Sequence, residues 1–75
     1  MRPYVQALME EQNDLEYRLA RTKKTTRKYK LDKQEKALLL DQIHTMRRYD
    51  KILSQRILYA LQEDENEREK EHDEY

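Results

Sequence analysis

Between Leu38 and Leu61 the apolar residues keep an uninterrupted helical beat. Leu39, Ile43, Met46, Leu53, Ile57 and Ala60 recur at steps of three and four, with one step of seven across Asp50. At about 3.6 residues per turn such positions share one face. A second stripe adjoins the first: Leu38, Gln42, Thr45, Tyr49, Ile52, Arg56 and Tyr59. A helix with one apolar stripe packs on one partner, whereas two adjoining stripes call for cover on both flanks.

A shorter seam precedes it. Val5, Leu8, Gln12, Leu15 and Leu19 alternate steps of three and four, and Pro3 suits a first helical turn, where its missing N–H costs nothing. Acidic residues come early in this stretch and Arg18 and Arg21 come late, in the order the helix dipole favours. Helix one is therefore expected over about 3–21. The chain is expected to turn within 22–31, because three threonines lower helix propensity and six closely spaced positive charges over 21–30 repel one another. Asp32 and Glu35 read as a capping box opening helix two over about 33–62. The competing reading is one unbroken helix, since no glycine marks the turn. Past Leu61 the periodicity stops, and residues 62–75 read as a separate acidic tail, frayed or disordered. The fold class expected is all-α: an antiparallel two-helix hairpin over residues 1–61, assembling into a helical homo-oligomer. Its interior residues are Leu8, Leu15, Leu39, Ile43, Met46, Leu53 and Ile57.

Composition sharpens the need for partners. The 75 residues allow one small domain. At that size a single core contributes only about 3–5 kcal/mol, so a staple, a metal or self-association is expected. Cysteine is absent, and His44 and His72 stand too far apart for a metal site. Self-association is the remaining route. No cofactor is expected. Signal-peptide and membrane-span patterns are absent, so the expected location is cytoplasmic. The net charge of zero hides a segregation: −3 over residues 1–17, +7 over 18–36, +2 over 37–61 and −6 over 62–75.

The basic segment 18–36 carries the most chemistry. Its Arg and Lys side chains, with Thr25 and Thr26 among them, can hold phosphate oxygens, and Tyr17 or Tyr29 offers a flat face for a base. The plainer reading is a solvated basic loop paired with the chain's own acidic tail or a neighbour's. Tyr49, mid-helix on the second stripe, reads as a buried helix–helix contact. Tyr4 reads equally as a staple at the helix start or as a lid over a site between protomers. Arg56, beside the apolar stripe, is expected to be buried against a carboxylate or an anionic ligand. His44 reads as a surface histidine. Without a cysteine, a glycine-rich loop or a histidine near Ser54, its only serine, the chain is not expected to be an enzyme.

Two sets of residues carry a family resemblance. Residues 3–18 read PY-x-Q, then Glu11, Leu15 and Arg18; residues 38–56 read LL-x-x-Q, then Met46, Tyr49, Leu53 and Arg56. This pattern resembles a family of very small phage and prophage α-hairpin proteins, with a shorter and more basic connector here. That family is similar to the hairpin domain of phage anti-CBASS and anti-Thoeris sponge proteins. The resemblance implies a homo-oligomer, often a hexamer in those proteins, that holds cyclic nucleotide signals between protomers and sequesters them without cleavage, inside an infected bacterial host. It further implies phosphate contacts from Arg18, Lys24, Thr26, Arg27 and Arg56, and base stacking on Tyr4 and Tyr49. Two other readings stay open. One is a structural or adaptor coiled coil without a small-molecule ligand. The other is nucleic-acid binding through the basic turn, which the −6 segment disfavours by competing for that surface.

Overall fold

Two helices make up the structure, a computed structural model: α1 (Pro3–Lys28) and α2 (Lys33–Asp73). It describes the backbone of residues 2–73 and the side chains as far as Asn66. The contacts between the helices run in opposite order along the two sequences. Arg2 meets Ala60, Gln12 meets Ser54, and Thr22 meets Met46. The pair is thus an antiparallel hairpin, 66 × 15 × 13 Å.

Both helices are longer than their patterns predict. Helix one does not end near Arg21 but continues to Lys28. The threonines are accommodated within it. Thr22 Oγ1 donates to the Arg18 carbonyl at 2.8 Å, Thr25 Oγ1 to that of Arg21 at 3.2 Å and Thr26 Oγ1 to that of Lys23 at 2.6 Å. Hydroxyls that can favour a turn here bond back onto their own helix. Arg27 and Lys28 then occupy the last turn, where the dipole favours cations. Tyr29 ends the helix in an extended conformation, its N–H still donating to the Thr25 carbonyl at 3.2 Å.

The turn is Tyr29–Asp32, and Asp32 caps α2 as the sequence pattern indicates. Its Oδ1 accepts the Glu35 N–H at 2.8 Å, and its carbonyl accepts the Lys36 N–H at 3.0 Å. Helix two does not stop near residue 62. It crosses the expected boundary of the acidic tail and runs to Asp73. Part of that extension is tied down: Arg2 forms an ion pair with Asp64 and donates to the Ala60 carbonyl at 3.2 Å. Side chains from residue 67 onward, His72 and Tyr75 included, lie outside the described residues.

The core forms where the two seams meet. Leu8, Leu15, Leu53 and Ile57 form a buried cluster, with Met9, Met46 and Leu61 packed against it. Val5, Ile43 and Ala60 are buried as well. Of the predicted interior residues, Leu39 and Met46 are only half-buried. The step of seven across Asp50 has a structural counterpart. At that level Gln12, the polar member of the α1 seam, donates through Nε2 to Ser54 Oγ at 2.6 Å and to the Asp50 carbonyl at 3.4 Å. A polar layer between apolar ones pins the relative height of the two helices, because sliding by a turn leaves these groups unpaired.

Candidate functional site

The first stripe of α2 is spent on α1; the second is not. Leu38, Ile52 and Tyr59 are 62%, 44% and 65% exposed, and Tyr49, predicted to be buried, is 40% exposed. A hairpin has only one partner helix to offer, so the second flank of α2 faces solvent. Along that flank, among the described residues, lie two large crevices between α1 and α2.

The larger, about 560 Å³, lies toward the turn. Leu15, Leu39 and Met46 form its floor, Arg18 and Arg21 rise from α1, and Gln42 and Tyr49 from α2. Arg18 and Arg21 are one turn apart and so share a face. Arg18 and Arg21 stand here beside an apolar floor, with no carboxylate among the lining residues, and the Arg21 guanidinium carbon lies 5.9 Å from the centre of the Tyr17 ring. Such a place favours an anion with an apolar or aromatic body. Thr22 and Thr25 also line it, but their hydroxyl protons are committed to backbone carbonyls, so they offer lone pairs rather than donors.

The second crevice, about 500 Å³, lies at the other end, between Tyr4 on α1 and Ile52, Arg56 and Tyr59 on α2. Arg56 is exposed rather than buried, and its partner among the described residues is a hydroxyl: Nη2 donates to the Tyr4 hydroxyl at 2.8 Å. This bond holds the Tyr4 ring, itself 52% exposed, against α2 across the helix pair. Arg2 and Glu63 complete the rim, and Arg2 is neutralised by Asp64. This crevice is therefore less cationic than the first.

The residues singled out in the sequence thus fall into three groups. Arg18 and Tyr49 share the larger crevice, and Tyr4 and Arg56 touch in the smaller one. Lys24, Thr26 and Arg27 line neither. Being helical rather than looped, they point around α1: Lys24 and Arg27 are exposed, and the Thr26 hydroxyl donates to the Lys23 carbonyl. Arg21, absent from the expected set, joins Arg18; its spacing of three from Arg18 was the available signal. Ser54 accepts from Gln12 and His44 is on the surface.

Fold and crevices together define a small two-helix hairpin with one helix flank left open for binding. The Sequestin family model matches residues 2–59, and the chain belongs to that family. The matched span covers both helices up to Tyr59 and includes every residue named in the two crevices except Ala60 and Glu63 at one rim. The family's name is consistent with a protein that sequesters a molecule rather than one that transforms it. No curated protein and no solved structure matches the chain. No helix among the described residues is long and apolar enough to cross a membrane.

Proposed function

We propose that this protein sequesters a cyclic nucleotide signal, held between protomers and left intact, and that it serves a phage in evading bacterial immunity inside the host cell. Family membership supports sequestration. The observation that carries the ligand class is the larger crevice, which Arg18 and Arg21 line beside the Tyr49 ring and the Gln42 amide. Guanidiniums match phosphate oxygens in pairs, aromatic rings stack on any base, and an amide can read a base edge. The volume of about 560 Å³ lies in the range that takes a small ligand, but the crevice has only two helical walls. A second protomer supplies the missing wall in this reading.

Isothermal titration with cyclic dinucleotides, cyclic trinucleotides and cyclic ADP-ribose-type nucleotides tests it. At least one is expected to bind with a Kd of about 1 μM or tighter, near −8 kcal/mol. Retention of none of them would overturn the proposal.

A second reading has its own support. The exposed apolar side chains of α2 suit a helical interaction module that binds a protein and no small molecule. In that case assembly is unchanged by nucleotide, and Arg56→Ala alters association rather than ligand capture.

A further inference from the structure

We propose that the outer face of α1 from Tyr17 to Tyr29 is a second binding surface, one that takes single-stranded nucleic acid. Apart from Arg21, the side chains concerned line neither crevice, and cyclic nucleotide plays no part.

Residues 17–31 hold seven cations, four Lys and three Arg, and no carboxylate. Among the described residues none of the seven is held in an ion pair. The acidic stretch past Leu61 does not reach them within the same molecule. Asp64 pairs with Arg2, which lies about 33 Å along α1 from Lys24, and α2 carries its own continuation farther away still, as far as Asp73. Screening reaches about 8 Å at physiological salt. The competition for the basic surface that the sequence suggests is therefore removed by the fold.

The helix gives these cations an order that a loop would not. Thr22, Thr25 and Thr26 bond back onto it, and the segment stays helical to Lys28. Tyr17, Arg21, Lys24 and Lys28 then follow steps of four, three and four and share one face. Tyr17 stands about 200° round the helix from the buried Leu15, so that face is turned away from α2. All four side chains are exposed, as is that of Tyr29 at the helix end. The strip is about 18 Å long.

The rings decide between polyanions. The Arg21 guanidinium carbon lies 5.9 Å from the centre of the Tyr17 ring, and Lys28 Nζ lies 5.6 Å from that of Tyr29. Tyr17 and Tyr29 are still 66% and 56% exposed, so each keeps ring surface open. A cation beside an open ring can meet a phosphate and its base together, and stacking on the ring requires an unpaired base. An anionic membrane fits less well, because the four positions of this face hold no aliphatic residue to enter the lipid.

Fluorescence anisotropy of the full chain tests this with labelled oligo-dT and oligo-U of about 12 nucleotides and a duplex of the same length. At low salt the single strands are expected to bind with a Kd of about 10 μM, and more tightly than the duplex despite its denser charge. With about four phosphates contacted, log K against log salt should fall with a slope near −3. K24Q/K28Q should reduce that slope by about 1.4. Y17A/Y29A should weaken single-strand binding ~10-fold or more, and Y17F/Y29F should bind as the parent does. Binding of either strand supports the proposal, and comparing the two tells DNA from RNA. Failure of both to bind overturns it, as does duplex binding that exceeds theirs and is indifferent to loss of the rings. Capture by phosphatidylserine vesicles without binding to any oligonucleotide also overturns it.

Discussion

Leu53 is fully buried between Leu8, Leu15 and Ile57, at the centre of the only apolar cluster among the described residues. Truncating it to alanine is expected to cost about 3 kcal/mol through lost burial and the cavity left behind. A core this small contributes little more than that in total, so L53A should be largely unfolded by circular dichroism at 25 °C, about room temperature. Arg18 is a different kind of residue. It is exposed, and its side chain serves the crevice rather than the core. Arg18→Ala should lower nucleotide affinity ~10-fold or more by titration, as expected for losing about 1.5–3 kcal/mol of charged hydrogen bonding, and leave the melting temperature within about 2 °C. A variant that melts early would instead make Arg18 a structural residue. Tyr4 and Arg56 are coupled, since each orients the other across the helix pair. Substituting either one is expected to cost nearly as much stability in chemical denaturation as substituting both.

The hairpin exists because its turn is punctuated by side chains rather than by glycine. Asp32 stops the chain from continuing as one helix by satisfying the Glu35 N–H at the start of α2. Asp32→Ala should therefore cost about 1 kcal/mol in chemical denaturation. This cap was legible in the sequence, as were the packed seams, because capping and the three–four beat are local signals. Leu8, Leu15, Ile43, Leu53 and Ile57 all lie where their spacing put them. The helix ends were not legible. Thr22, Thr25 and Thr26 carry hydroxyls able to bond either a turn or the preceding helical turn, and nothing local decides between the two. The continuation of α2 past Leu61 rests in part on the Arg2–Asp64 ion pair, which joins positions from opposite ends of the chain. The same limit explains the candidate site. Lys24, Thr26 and Arg27, which the resemblance makes phosphate contacts, are neighbours in sequence, and a helix spreads neighbours about 100° apart. Arg18, Arg21 and Tyr49 meet only because two helices bring them together.

For the molecule as a whole, a hairpin 66 Å long and about 15 Å thick has too little interior to cover both stripes of its longer helix. One stripe is buried in the hairpin; the other, with its crevices, faces solvent. Assembly and ligand capture are linked in this account, because a crevice with two walls becomes enclosed only when another protomer adds a third. Ligand should then favour the assembled form by mass action. Native mass spectrometry of the full chain mixed with cyclic dinucleotides, cyclic trinucleotides and cyclic ADP-ribose-type nucleotides reads both at once. The account predicts an oligomer carrying a nucleotide that is released with its mass unchanged on denaturation. Bare chains in the presence of every nucleotide, or a bound species released as a cleavage product, would contradict it.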